Sequence, residues 1–558
     1  MDDATIIIKQ NRCFKEVIKD LNEYEEASGA KVNYDKTKGL WVGSWKYRRI
    51  SPMEIKWTNK NVFSLGVFFG NDNPDTATYN SIVPEIKKRL NYWKQFKLTE
   101  IGKARVTEMF LASKLIYAIK FYTIPTKIRE ELQQSIFNFI NFPHKVTTIA
   151  QKEMWKTKSL GGIKLTNIQI KSETCKAKWL IELASNPQMK MNLDIFAEII
   201  GNQKGNICGK DILFLQRSYF QKLLKTESKF YKEALISLGN FERRKGIQNV
   251  EYWDREHVFY NPLFTRENGK VLSATKYFVE RNIYKLEQFL EEKARDVRKL
   301  SFDRVVTNLY NKIILNTSVR KEDIFVTNEG KEIKFTEVTQ KQLYEQALLV
   351  TYRDHHSQVK WGEKLNTSIP WEEVWGAVHN FLSTNRTKNT IWQQVHLNFY
   401  TQFSYNKWHN GNDLCPLCQN LPESIYHIIL HCEFTKKRWD EIEPTLLELH
   451  PVPVSEEEKA FGVVQKKLTN GILLRNWVTY LLRECITQAE KEAYHAKRID
   501  LQKFKLQFNQ KIVSEIRIKA LQYKAENKIK YFEKIITHAG VLCKIGHDGE
   551  YQIRHVFS

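Results

Sequence analysis

The chain has 558 residues, with 87 Lys+Arg against 64 Asp+Glu, a formal net charge of +23 and a pI near 9.4. Its 42% hydrophobic content, with 31 Phe, 24 Tyr and 14 Trp, excludes a solvated, disordered chain and supplies material for several cores. No apolar run approaches the ~18 residues of a membrane helix, the acidic start Met1-Asp2-Asp3 argues against a cleaved signal peptide, and the positive balance points to a polyanionic partner, most often nucleic acid.

In chain order, Ala4 to Ile8 reads as a short buried strand. Phe14, Val17, Ile18, Leu21 and Tyr24 then fall on one helical face, and Gly29 stands where a helix C-cap glycine belongs. Residues 40–70 alternate aromatic and β-branched positions with turn residues and read as short strands, closed by Asn71-Asp72-Asn73-Pro74. From Thr76 to about Asn186 the pattern is helical. Ile128, Leu132, Ile136 and Phe139 recur at helical spacing between the breakers Pro125 and Pro143, and Gly161-Gly162 marks a turn. Residues 190–400 mix helical stretches with β-like ones such as Ile324-Phe325-Val326.

Residues 451–458 read as a linker containing Pro and Glu. From Ile472 to Ala539 there is neither glycine nor proline, room for one or two extended helices. Residues 491–540 hold twelve Lys/Arg against five Asp/Glu. Two readings stay open for that segment: a solvated helical hairpin packed through Phe504, Leu506, Phe508, Ile512, Ile516, Ile518 and Leu521, or a basic arm lying along a phosphate backbone.

The eight cysteines are too few for a disulfide scaffold in so long a chain and point to a reducing compartment, nuclear or cytoplasmic. Three of them cluster as Cys415-Pro-Leu-Cys418, then His427, then Cys432, a C-x2-C-x8-H-x4-C pattern. Two thiolates across a two-residue turn, joined by a His and a Cys from a short helix, complete a tetrahedral set suited to Zn²⁺. His431 is an alternative nitrogen ligand. Four protein ligands imply a closed structural site rather than hydrolytic chemistry.

The adjacent Asp2 and Asp3 say little alone. Followed by Ala-Thr-Ile-Ile-Ile, an amphipathic helix, Gly29-Ala-Lys-Val-Asn33, Lys36-Thr37 and Leu65-Gly66-Val67, they resemble the last third of the palm of a non-LTR (LINE-type) retrotransposon reverse transcriptase. The likeness continues through Tyr92-Trp93-Lys94, Ile101-Gly102-Lys103-Ala104 and Ser113-Lys114-Leu115-Ile116-Tyr117, which are similar to the helical thumb of such polymerases. Leu160-Gly161-Gly162-Ile163 resembles the turn after the thumb, and Tyr260-Asn261-Pro262-Leu263 an Asn-Pro motif of the connector. Trp371 through Trp439, with Trp375, the four ligands and Glu423-Ser424, is similar to the zinc-binding region of these enzymes. The overall resemblance is to Tx1-like elements, which carry an apurinic-type endonuclease upstream. It spans about residues 2–440, loosely through 190–360.

The resemblance implies a mainly α fold with a small α/β N-terminal remnant. Its parts are a partial palm (1–75), a helical thumb (76–190), a connector (191–364), a zinc-binding region (365–450) and a basic helical C-terminal segment (451–558). Asp2 and Asp3 would be a remnant metal-binding pair, Lys36 a nucleotide contact, and Leu65-Gly66 part of the primer-gripping hairpin. Lys87, Lys88, Arg89, Lys94, Lys97, Lys103 and Arg105 of the thumb, and Lys436, Lys437 and Arg438 after the zinc ligands, would contact RNA template and DNA primer or target. Aromatics near the zinc unit (Trp408, Tyr426 and Trp439) are either base-stacking platforms or core, with core favoured for Trp439.

Two-metal phosphoryl transfer needs carboxylates from two palm strands. This chain begins at Asp-Asp, so the expectation is a truncated gene model or element copy, inactive alone, with Mg²⁺ belonging only to a complete polymerase. An unpartnered Asp-Asp strand is also expected to order poorly. Two other readings are a domesticated zinc-stabilised nucleic-acid-binding protein and a helical scaffold whose zinc unit docks a protein partner.

Overall fold

The computed structural model describes residues 5–143, 149–192, 195–196, 229–240, 258–259, 264–270, 272, 286, 314–315, 324–326, 330–334, 337–351, 356–379, 382–398, 401, 413–496 and 499–557. Asp2, Asp3, the 260–263 motif and Trp408 lie outside them. The described residues are mainly helical, with short strands paired in twos. They divide into two units: Met1–Trp93, Met109–Ile136 and Asn167–Leu348 form one, and Lys94–Glu108, Phe137–Thr166 and Leu349–Ser558 the other.

The first unit opens on α1 (Cys13–Ser28), whose expected face is only partly used: Phe14 is buried while Tyr24 is exposed. Gly29 closes it at φ 70°, its N–H donating to the Glu25 carbonyl at 2.9 Å, the left-handed cap predicted. The expected strand over 4–8 does not form. Residues 5–9 have no regular structure, and Ile7 is 92% exposed. A strand is stabilised only by a paired neighbour, and none of the described strands pairs with this segment.

Strand β1 (Lys38–Leu40) pairs parallel with β2 (Lys56–Thr58). Phe14 packs on Trp41, Trp45 and Trp57, and Trp41 stacks on Trp57 at 4.2 Å. Gly39 is required there: a Cβ would lie 2.3 Å from the Trp57 ring. The hairpin of β3 (Asn61–Ser64) and β4 (Val67–Gly70) turns through Leu65 (φ 49°) and Gly66 (φ 82°). Positive φ at both central residues matches the twist of paired strands.

Helices α2 (Pro74–Trp93), α3 (Glu100–Ile119) and α4 (Thr126–Asn141) follow, the last filling the interval between Pro125 and Pro143 as expected. The hairpin is fixed to its own unit by polar bonds. Phe68 N–H donates to Thr78 Oγ1 at 2.9 Å, Tyr122 O–H to the Phe68 carbonyl at 2.6 Å, and Tyr79 O–H to the Tyr122 carbonyl at 2.8 Å. After α5 (Gln151–Trp155), helices α6 (Ile168–Ser185) and α7 (Lys229–Asn240) share an apolar core and a buried Lys176–Glu233 ion pair. Antiparallel strands β5 (Phe264–Thr265) and β6 (Ile314–Leu315), then β7 (Ile324–Val326) and β8 (Glu332–Lys334), come next, β7 as expected.

Helices α8 (Gln340–Thr351), α9 (His356–Leu365), α10 (Trp371–Val378) and α11 (Asn385–Val395) lead to the metal-ligand segment. Beyond it run α12 (Glu433–Leu449), α13 (Glu456–Phe461), α14 (Asn470–Ala496), α15 (Leu501–Ala525), α16 (Ile529–Ile536) and the hairpin of β9 (Cys543–Ile545) with β10 (Tyr551–Ile553). The glycine-free stretch thus forms two long helices and a short one.

One core joins Cys415, Ile428 and Cys432 to Trp439, Trp477, Phe508, Ile516 and Phe557, crossing the position 450 boundary expected from sequence. Phe504, Phe508, Ile512 and Ile516 pack inward, whereas Leu506, Ile518 and Leu521 remain exposed, so the hairpin alternative describes α14–α15. The expected 451–458 linker is pinned by Arg475. This residue is 0% exposed, with its guanidinium on both Glu458 oxygens and on the carbonyls of Leu446, His450 and Val452. A buried charge is tolerated only with such complete pairing.

Candidate functional site

Cys415 and Cys418 sit on a tight turn. Cys415 N–H donates to the Leu421 carbonyl at 2.8 Å and Gln419 N–H to the Cys415 carbonyl at 2.7 Å. His427 begins a single π-helical turn ending at His431. Cys432 N–H closes back on the His427 carbonyl at 2.6 Å, and Cys432 then forms the N-cap of α12. Extra π-turn residues often reshape a helix at a functional site.

The four ligand atoms lie within 4.8 Å of one another, with Cys415 Sγ and Cys432 Sγ 4.0 Å apart and Cys418 Sγ 3.3 Å from His427 Nε2. Zn–S bonds of about 2.3 Å and Zn–N bonds of about 2.0–2.1 Å require ligand separations of this size in a tetrahedron. The donor set therefore fits a metal such as zinc. The shared bond with Cys415 and the N–H groups of Thr435 and Phe434 at the start of α12 bring the Cys432 thiol down to about 5, while its sulfur neighbour pushes Cys415 up. A cation between the two would remove that conflict, since both would then bind as thiolates. His431 is not among the grouped ligands.

The aromatics beside this centre serve packing. Trp439 is buried with its Nε1–H on the Ile429 carbonyl at 3.1 Å. Tyr426 packs edge-on against Trp361 at 4.6 Å, and burial pushes its hydroxyl up to about 12.

The same unit contains the Gly161-Gly162 turn. Gly161 has φ 82°, and a Cβ there would meet Trp375 at 2.5 Å; one on Gly162 would meet the Lys156 carbonyl at 1.9 Å. The Gly161 carbonyl accepts from Trp392 Nε1–H at 2.7 Å and lies 2.7 Å from His396 Nε2, and the His396 ring stacks on Trp375 at 4.9 Å. Sequence reasoning singled out the glycines and Trp375 but missed Trp392 and His396. Their i,i+4 spacing, which puts both on one helical face, was the available signal.

The predicted cationic residues divide. In the first unit, Lys36 is exposed on a turn; Leu65 is exposed at the hairpin tip, and Gly66 faces Tyr117. Lys88 is exposed, Lys87 pairs with Glu131, and Arg89 pairs with Glu85 at 2.6 Å, with Lys114 on the same carboxylate at 3.4 Å. In the second unit Lys94 lies over the Phe142 ring at 5.7 Å, and Arg105, Lys436 and Lys437 are exposed, the last paired to Glu433 at 2.9 Å.

Two residues stand apart from the expectation. Lys103 is 5% exposed and caps α4 by donating to the Ile140 and Phe142 carbonyls, with burial lowering its pKa. Arg438 is buried against Phe434 and pairs with Glu441 at 2.7 Å. Helical spacing turns both side chains toward the interior, so neither is free to meet a phosphate.

Among known proteins, the chain is similar to one from Xenopus laevis described as "Transposon TX1 uncharacterized 149 kDa protein". Identity is 26% over 144 residues. The match covers 25% of this chain and 11% of the Xenopus protein's length. No family model matches the chain. Among the described residues no helix is long and apolar enough to cross a membrane.

Proposed function

We propose that this chain is the primer–template-binding part of a LINE-type, Tx1-like retrotransposon reverse transcriptase. In this reading it holds RNA and DNA through thumb-like helices α2–α4 and a zinc-stabilised C-terminal unit. The observation that carries the reading is the meeting, in one unit, of pieces far apart in sequence. The Gly161-Gly162 turn is held by Trp375, Trp392 and His396, and the same unit contains the Cys415, Cys418, His427, Cys432 group. Similarity to the Tx1 transposon protein supports the same reading.

The metal is structural. Its four protein ligands leave no open position, and zinc of this kind supplies folding free energy. Binding is expected to be electrostatic and indifferent to sequence, because Lys and Arg on phosphates position a duplex without reading bases.

Asp2 and Asp3 would supply one of the carboxylate pairs between which two-metal transfer holds its ions. The chain is expected to bind a primer–template. The test is electrophoretic binding of RNA, single-stranded DNA and RNA–DNA hybrid at low salt. Binding is expected, and its absence would remove the reading.

A further inference from the structure

Five cations of the second unit face one another from four separate places in its sequence. Bonds from Trp392 to the Gly161 carbonyl, from Thr384 and Thr387 to Glu515, and from Ile101 N–H to Asn389 Oδ1 bring α11 beside the 158–164 turn, α15 and α3. Lys388 (α11) there faces Lys519 (α15), Lys158 and Arg105 (α3); Lys158 also faces Lys164 across the Gly161-Gly162 turn. Arg105 and Lys164 are exposed, Lys158 and Lys388 half-buried, and Lys519 buried with its ammonium 3.3 Å from Gln522 Oε1. Lys164 holds a left-handed backbone at φ 58°, uncommon outside glycine.

Neighbouring cations on the same helices are neutralised. Glu484 takes Arg386 at 3.1 Å and Lys511 at 2.9 Å. Lys158 and Lys388 have no ion pair or side-chain hydrogen bond to any described residue. The carboxylate facing Lys388, Glu515, is occupied by Thr384, Thr387, Trp477 and Lys511. His379, also beside Lys158, Lys388 and Arg105, is held neutral, at about 3, by burial and these cations. Burial first, and then its cationic neighbours, bring Lys388 down to about 7. Carboxylates face the cluster as well, Glu108 beside Lys158, Glu515 beside Lys388 and Lys519, and Glu526 beside Lys519. The half-desolvated cations outnumber them, and such a group gains when an external anion supplies further negative charge.

We propose that Arg105, Lys158, Lys164 and Lys388 form a docking site for the phosphodiester backbone of a nucleic-acid strand, with the buried Lys519 adding to its positive field. The proposal rests on the nucleic-acid reading above and adds an address that none of the sequence motifs supplied beyond Arg105. Several phosphates, rather than one, match cations spread over α3, the 158–164 turn and α11. The strand is held by charge, so base identity is immaterial.

The test uses the full chain, with Lys158→Gln, Lys388→Gln, the double variant, and Lys466→Gln as an exposed control outside the cluster. Binding of a labelled 20-nucleotide RNA is followed by fluorescence anisotropy from 50 to 200 mM salt. Each lost phosphate contact flattens the slope of log K against log salt by about 0.7 for a single strand, so the double variant should lose about 1.4 while Lys466→Gln stays near wild type. Amine-selective labelling at pH 7, read by peptide mass spectrometry, should modify Lys388 readily in the free protein and be blocked by RNA.

The glutamine variants remove uncompensated charge, and thermal melting is expected to show them folded. If wild-type chain binds RNA while the double variant keeps its affinity and slope and Lys388 is not protected, the site is refuted and the broader function stands. If the wild type does not bind at 50 mM salt, both fall. Competition by inorganic tripolyphosphate at RNA-like concentration would overturn the strand reading in favour of a small polyphosphate.

Discussion

The unit carrying the metal ligands and the segment carrying the β3–β4 hairpin use the same residue types differently. In the former, several large buried side chains have their polar atoms bonded: Trp361, Trp392, Trp439 and Trp477 each donate their indole N–H, and Arg475 meets two carboxylate oxygens and three carbonyls. Around the hairpin, Ile6, Ile7, Tyr47, Ile50, Phe63 and Leu65 are exposed. An apolar side chain left in water contributes little to stability. The difference teaches that the metal-bearing unit is specified by its own contacts, whereas the hairpin segment holds its shape through a few aromatic stacks and the Thr78, Tyr79 and Tyr122 bonds.

The largest expected effect tests the metal. Zinc in small structural sites contributes about 10 kcal/mol or more of apparent binding free energy, and these ligands share the core of α12, α14 and α15. Cys415→Ser should abolish stoichiometric zinc by elemental analysis and make α14–α16 amides exchange rapidly, while the Phe14–Trp41–Trp57 cluster keeps its tryptophan emission. Equal loss in both regions would break the comparison.

Next, Arg475→Ala leaves Glu458 buried without its partner. Breaking a buried pair this way costs about 3–5 kcal/mol, a fall of roughly 10 °C in the melting midpoint of a unit this size. Gly161→Ala should follow. It combines a strained φ with a Cβ 2.5 Å from Trp375, and overpacking costs about 1–3 kcal/mol, measurable by urea denaturation.

Lys388 gives a smaller, signed effect. Its pKa is about 7 in the fold against 10.5 ordinarily. Folding therefore disfavours its charged form; that penalty is complete below pH 7 and fades as pH rises toward 10.5. Lys388→Gln should raise the melting temperature at pH 6–7, with the gain over wild type vanishing near pH 10. At the other extreme, Ile7→Ser should change stability by less than about 0.5 kcal/mol, as surface substitutions do.

Local features were legible in the sequence. The Gly29 cap, the helix between Pro125 and Pro143 and the four metal ligands each follow from neighbours a few residues apart, while the Leu65-Gly66 hairpin came from the resemblance. What was not legible depended on partners far along the chain. The strand expected over 4–8 lacks a neighbour to pair with. The 451–458 segment looks like a linker until Arg475 is seen beneath it. Lys103 and Arg438 look like surface cations because composition does not reveal that carbonyls of α4 or the Phe434 ring await them. The Lys158–Lys388–Lys519 grouping is likewise invisible, its members lying more than a hundred residues apart. Trp392 and His396 sit between these cases, since their spacing was visible but their acceptor, the Gly161 carbonyl, was not.

The central claim is that this chain holds nucleic acid through phosphate contacts. The most direct measurement is the affinity of the full chain for two RNAs of equal length and unrelated sequence, titrated over salt. The account predicts tight binding at 50 mM salt, equal affinities for the two sequences, and a steep linear fall of log K with log salt. No binding at 50 mM, or an affinity that ignores salt, would contradict it.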